Sequence, residues 1–270
     1  AVSSVILALR PLPEGAASTT PEQRFTLWLP LVRRIREPYE GLWALPGGPL
    51  GQDCGLEQAA RDTLTHTTGL DPAYLEQLYA FGGVDRSSSS ARCDAERVVS
   101  IVYWALVRAE EDAAAINGEN VAWFPIDELP ELAFDHREIV TYALARLRAK
   151  LGYSPIAHAF LPEEFTLADL REVHEAVLGR DLDPANFRRQ VLSRGDVEPT
   201  GRKVEGTSHR PPSLYRYRAE SVATSPTPPP QECVMTSVAV QIALAPPTST
   251  CDTGLAEPTW DFDAMPSYGP

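Results

Sequence analysis

The chain has 270 residues, with 37 Asp and Glu against 24 Lys and Arg, a formal net charge of −13, and 43% hydrophobic residues. This composition suits a folded protein with a sizeable core. Its acidity argues against a uniformly basic nucleic-acid coat protein and against a binder of anionic membrane surfaces, while leaving room for a local basic patch. No apolar run reaches the roughly 18 residues needed to span a bilayer. The longest candidate, 233–245, is broken by Thr236, Ser237 and Gln241. Residues 5–9 are apolar but too short for a secretory leader, lack a basic lead-in and end at Arg10, so they read as a buried strand. Strands are also expected over 25–32 and over 98–107, which is rich in β-branched and aromatic residues. A helix is expected over 55–68, a flexible loop over 87–90, and a strand end at Trp123-Phe124 before Pro125. Asp135 is placed as the cap of a helix whose apolar positions are Ile139, Tyr142, Ala143, Leu147 and Leu151. Cysteines 54, 93, 233 and 251 form no C-x-x-C pair and no metal spacing, which points to free thiols in a reducing cytoplasm.

Residues 153–218 follow a different pattern. Thr166-Leu-Ala-Asp169 has the form of a capping box. The helix it opens has Leu167, Leu170, Val173, Val177 and Leu178 as apolar positions and stops at Gly179. Asp183-Pro184 opens a second helix, with Phe187, Val191 and Leu192 on its apolar side and Gly195 at its end. Short β segments at 197–200 and 214–218 flank a loop holding Gly201, Arg202, Lys203, Gly206, His209 and Arg210. Helix, tight turn, helix and a two-stranded wing is the plan of a winged helix-turn-helix.

Charge follows this division. Residues 1–150 carry a net −7, residues 151–218 a net 0, and residues 219–270 a net −6 with no basic residue and nine prolines. The last stretch is expected to be a disordered acidic tail, with a short strand conceivable around 238–244. Within 183–218 the balance is +4.

Leu45-Pro46-Gly47-Gly48, with Gly69-Leu70 further along, resembles the Nudix box, G-x5-E-x7-R-E-U-x-E-E-x-G-U. With Gly48 as the first glycine, Leu64, Gly69 and Leu70 match the remaining frame. The four glutamate positions hold Cys54, Thr63, His66 and Thr67, and the arginine position holds Asp62. Nudix glutamates hold divalent cations against a diphosphate, and hard cations require oxygen ligands. Without the ions little polarises phosphorus or activates water, and His66 and Cys54 favour softer metals. No catalytic residue and no metal ligand is therefore assigned.

The resemblance extends further. Arg36-Glu-Pro-Tyr-Glu-Gly-Leu-Trp43 resembles the approach to a Nudix box, and Tyr74-Leu-Glu-Gln-Leu-Tyr-Ala-Phe-Gly82 and Val98-Val-Ser-Ile-Val-Tyr103 resemble the segments C-terminal to such a box. Leu132-Ala-Phe-Asp-His136, Tyr153-Ser-Pro155, Leu161-Pro-Glu-Glu-Phe-Thr-Leu167, Asn186-Phe-Arg-Arg189, Glu198-Pro-Thr-Gly201 and His209-Arg-Pro-Pro-Ser-Leu-Tyr215 resemble the NrtR family, the Nudix-related transcriptional regulators of NAD metabolism. The match covers about 1–218. It implies an α+β protein in which a Nudix-like α/β/α sandwich (1–134) leads through a linking helix (135–152) to a winged helix-turn-helix domain (153–218). It further implies a homodimeric cytoplasmic repressor of NAD synthesis or salvage genes, bound to palindromic operator DNA. The implied effector is ADP-ribose or a related nucleotide, with no other cofactor.

On a helical wheel, Asn186, Arg189, Gln190 and Ser193 share an arc away from Phe187 and Val191, a base-reading face in which Arg suits guanine and Asn or Gln suits adenine. Arg188 takes a phosphate or packing role. Arg202, Lys203, His209 and Arg210 are candidates for backbone phosphates. For the effector, Arg36, Tyr39 and Trp43 could line a nucleotide pocket, although Trp43 could equally fill the core. Gly47 and Gly48 either admit a diphosphate to the backbone or serve a turn. His136 and His158 read as structural, and the 139–151 stripe as packing or dimer contact. Two other readings stand beside the repressor: a working Nudix hydrolase with ligands such as Asp53, Glu57 or Asp62, and a scaffold that has lost both activities.

Overall fold

The computed structural model describes residues 1–12, 24–72, 74–83, 98–108, 120–204 and 211–219. The expected loop at 87–90, the acidic tail with its strand at 238–244, three of the four cysteines, and Gly206, His209 and Arg210 all lie outside the described residues.

Seven strands build one sheet: β1 (Val2–Pro11), β2 (Phe25–Arg33), β3 (Trp43–Ala44), β4 (Gly47–Gly48), β5 (Tyr74–Phe81), β6 (Ser100–Val107) and β7 (Val121–Pro125). Its main path runs β3-β2-β1-β6-β5, with β4 beside β1 and β7 beside β2. β1 and β6 pair parallel at the centre, and the other pairings are antiparallel. A central strand covered on both faces reads as a continuous apolar run rather than an alternation, which is why residues 5–8 are all apolar and all fully buried.

Helix α1 (Leu56–Thr68) covers one face. Leu64, with Leu70 just beyond the helix, packs against Ile6, Ala8, Ala105 and Val107. The helix ends at Gly69 in the left-handed region, φ 72°. Helix α2 (His136–Tyr153) covers the other face, where Ile139, Ala143, Leu147 and Leu151 join Val5, Leu7, Leu29 and Trp104. The 139–151 stripe is thus packing. Two expectations for this helix are corrected. Asp135 occupies the N-cap position, but its side chain makes no capping hydrogen bond. Its carbonyl instead accepts from Glu138 and Ile139. Tyr142 is not in the stripe: it is exposed and packs against Tyr79 and Phe81, while Val140 is buried.

The same core continues without a break into the second part of the chain. A 3-10 turn at Ile156–Phe160 buries Ile156, Ala157, Ala159 and Phe160. Helix α3 (Leu167–Leu178) starts with the expected capping box, Thr166 Oγ accepting the Asp169 N–H and the Asp169 carboxylate accepting the Thr166 N–H. Gly179 ends it in the left-handed region. Helix α4 (Pro184–Arg194) is capped by Asp183, whose carboxylate accepts the Asn186 N–H at 2.7 Å. Strands β8 (Val197–Lys203) and β9 (Ser213–Tyr217) pair antiparallel as the wing, and Phe165 bridges to Tyr215. α3 also rests against β2 of the sheet. Among the described residues no helix is long and apolar enough to cross a membrane.

Candidate effector pocket and nucleic-acid interface

β4 lies so close to β1 that a Cβ on Gly47 would fall 2.7 Å from the Val2 carbonyl oxygen and 2.8 Å from Ser3 Oγ. The approach that Gly47 permits is therefore to a neighbouring strand, whereas a Cβ on Gly48 would meet nothing within 4 Å. Behind them, the charged groups of α1 are engaged locally. Arg61 reaches Glu57 and Asp71, both at 3.3 Å. Gln58 donates to Asp62 at 2.7 Å, and the His66 ring donates through Nδ1 to the Asp62 carbonyl at 2.7 Å. Cys54 carries a thiol that donates to the Gly55 carbonyl at 3.5 Å.

A divalent cation held by Nudix glutamates is the group this fold implies, and the donors present do not fit it. Where carboxylates would converge, α1 offers Thr63, His66 and Thr67. Glu57 and Asp62 are five residues apart, so they leave the helix about 140° apart at 100° per residue. Among the described residues no group of three His, Cys, Asp or Glu side chains could hold a metal ion.

In front of α1 lies a cavity of about 280 Å³, walled by Arg33, Arg34, Arg36, Leu45, Gly47 and Thr67 among others. Of the predicted effector residues, Arg36 and Gly47 line it, while Tyr39, Trp43 and Gly48 do not. Trp43 is half-buried against the core, edge-on to Phe124 at 5.0 Å, which favours core filling over stacking on a ligand. Tyr39 meets Phe134 edge-on at 4.8 Å. Arg33, Arg34 and Thr67 were not anticipated. The available signal was the Arg-Arg pair directly after the apolar residues of β2. Arg34 Nε donates to the Pro38 carbonyl at 2.8 Å, so it shapes the 34–42 loop. His136 is buried and its Nδ1 accepts the Leu45 N–H at 3.0 Å, tying the start of α2 to the cavity wall. His158 donates through Nδ1 to the Pro155 carbonyl at 2.8 Å, and burial holds its pKa below the ordinary imidazole value.

α4 is held from behind. Phe187 is buried edge-on to His174 at 5.0 Å, and burial likewise depresses the His174 pKa. Buried Glu175 accepts the Leu182 N–H at 2.8 Å and pairs with Arg171, which also donates to the Leu182 carbonyl; together these fix the turn between α3 and α4. Arg194 donates to the Gly152 carbonyl at 2.7 Å, and Arg148 to the Val177 carbonyl at 2.9 Å. The C-terminal ends of α3 and α4 are thereby fastened to α2.

Asn186, Arg188, Arg189, Gln190 and Ser193 are all exposed on α4. Arg188 therefore does not pack. Leu192, expected on the apolar side, is 39% exposed and shares the outer arc with Arg188, Arg189 and Ser193. Asn186 and Gln190 lie toward the flank, where they border a cleft of about 470 Å³ between α2, α3 and α4. On the wing, Lys203 is exposed, and Arg202 pairs with Glu164 at 2.9 Å with 70% of its side chain in solvent.

A family profile for the NrtR DNA-binding winged helix domain matches residues 157–217, and a NUDIX domain profile matches 18–143. The ADPR responsive transcriptional repressor NtrR of Acinetobacter baylyi is 34% identical over 193 residues, 69% of this chain and 74% of that protein. The chain belongs to the NrtR family. The crystal structure of Shewanella oneidensis NrtR superposes with a TM-score of 0.64 at 31% identity, covering 82% of this chain and 95% of the other. The structure of the same NrtR complexed with a 27mer DNA gives a TM-score of 0.63 at 30% identity, covering 82% and 94%. An ADP-ribose pyrophosphatase of Methanocaldococcus jannaschii is 32% identical over 112 residues, 41% of this chain and 62% of that enzyme. The fold of this NrtR-family chain is a Nudix domain followed by a winged helix domain.

Proposed function

We propose that the chain is a DNA-binding transcriptional repressor of NAD synthesis or salvage genes, controlled by ADP-ribose or a related nucleotide bound to a Nudix domain that does not hydrolyse it. The observation that carries the reading is an exposed arc of Arg188, Arg189 and Ser193 on a helix fixed from behind, in a chain similar along most of its length to a named repressor. In this reading α4 enters the major groove, Arg189 and its neighbours read base edges, and Arg202 and Lys203 of the wing hold phosphates. The Arg202–Glu164 pair is too exposed to resist exchange for a phosphate. The functional division is that of the sequence: sensor to about residue 134, linking helix to about 152, winged helix to 218. The chain acts as a homodimer, because two-fold protein symmetry matches a palindromic operator.

α2 joins the two functions. Its first residue accepts a hydrogen bond from the cavity wall through His136, and its last turn accepts one from α4 through Gly152. A shift of one end of this packed helix displaces the other. The test begins with duplex DNA selected by the full chain from a random-sequence library. Gel shifts of that duplex should respond to ADP-ribose; failure to select any duplex contradicts the reading. The likeness of the first half to a pyrophosphatase favours hydrolysis as the second reading. Turnover of ADP-ribose above blank with magnesium would support it.

A further inference from the structure

We propose that Phe134, backed by Arg34 and Tyr39, is a stacking platform for the purine base of the nucleotide that the adjoining arginine-lined cavity takes; the proposal rests on the effector reading above. Phe134 and Tyr39 are the non-glycine residues of the described chain with positive φ, at 56° and 67°. A bulky aromatic residue is unfavourable in that region, and such outliers concentrate at ligand clamps. The turns alone would be served by glycine or asparagine. Here two aromatic rings occupy them and meet edge-on at 4.8 Å. Phe134 is 38% exposed.

The platform adjoins the cavity through Arg34. The Arg34 guanidinium lies 4.7 Å from the Phe134 ring centre and is held there by the Pro38 and Arg36 carbonyls. Arg34 also forms part of the cavity wall. The Phe134 ring is also 5.4 Å from that of His136, tilted by 46°, and His136 accepts the Leu45 N–H of the same wall. An immobilised guanidinium against an aromatic ring favours an electron-rich flat partner. Arg36, exposed at the cavity rim, is placed to meet phosphate. The site therefore divides into a base end and a phosphate end, and Phe134 discriminates nucleotides from phosphosugars.

The test uses the full chain with ADP-ribose and ribose 5-phosphate as probes. In saturation-transfer NMR with ADP-ribose, the adenine H2 and H8 protons should receive more saturation than any ribose proton; stronger saturation of ribose overturns the platform. By calorimetry, Phe134→Leu should raise the Kd for ADP-ribose at least tenfold, Phe134→Trp should hold it within threefold, and ribose 5-phosphate should bind all three proteins alike. Thermal melts confirm that the variants fold. Wild-type affinity of Phe134→Leu for ADP-ribose overturns the platform while leaving the effector reading intact. Absence of ADP-ribose binding by the wild-type chain removes both.

Discussion

Helix α1 and the pair α3–α4 differ in how frame residues and charged surface residues are combined. In α1 and its flanks the positions that build the fold are kept: Gly47 against β1, Leu64 at full burial, Gly69 in the left-handed cap and Leu70 beneath the sheet. The positions that would hold cations are replaced by Cys54, Thr63, His66 and Thr67. In α3–α4 both kinds of residue are present, the capping box and buried Phe187 behind, and the exposed Arg188, Arg189 and Ser193 in front. Frame residues act through burial and backbone geometry, whereas charged surface residues act on a ligand, so one set can be lost without the other. A Nudix frame without those glutamates is the basis for proposing a domain that binds a nucleotide and does not hydrolyse it.

The largest expected effect tests the frame. Leu64→Ala should cost about 2–5 kcal/mol in urea unfolding, as deletion of a fully buried leucine does. His66→Ala, at an exposed former glutamate position, should stay within about 0.5 kcal/mol. Equal losses at the two would erase the distinction between frame and chemistry. Next in size, Arg189→Ala should weaken binding to the selected duplex by about 1–3 kcal/mol and relax its sequence preference, while Arg202→Ala should weaken all sequences alike and lower the salt slope by about 1. Wild-type gel shifts for both would remove α4 and the wing from the interface.

Arg194→Ala takes one hydrogen bond from between α4 and α2, on the order of 1 kcal/mol. It should reduce the effect of ADP-ribose on DNA affinity more than it reduces DNA affinity itself; an unchanged response in competition gel shifts would exclude this contact from coupling. The smallest effect concerns pH. Burial lowers the pKa of His174 and of His158 in the folded chain, so the unfolded state takes up protons first. Stability should fall as pH drops below about 6.5 and level off once the folded-state values are passed. His174→Gln should flatten that decline in urea midpoints measured from pH 7.5 to 5; an unchanged slope would place the linkage elsewhere.

Much of this was legible in the residues, for reasons that differ along the chain. The capping box at Thr166, the Asp183-Pro184 start and the terminal glycines are local signals, and the winged helix follows from them. β1 was visible as an apolar run because both its faces are covered. β5 carries little alternation because a bulge between Gln77 and Tyr79 shifts its register. β3 and β4, two residues each, exist only through pairing with distant strands. Tyr142 and Leu192 look apolar on a helical wheel, and only the tertiary arrangement shows them exposed. The effector pocket was the least legible part. Its walls come from β2, the loop after it, β4 and α1, and Trp43, the most conspicuous aromatic residue of the approach, is turned against Phe124. The −13 charge likewise misleads until divided by region, since 183–218 alone carries +4.

If the Nudix half senses a nucleotide without consuming it, the winged helix reports the result on DNA as a lasting change in affinity. Fluorescence anisotropy of a labelled, library-selected duplex bound to the full chain, monitored over time after addition of ADP-ribose with magnesium, tests it in one trace. The expected trace is a step in anisotropy that then holds steady. No step, or a step that decays as the ligand is consumed, would contradict it.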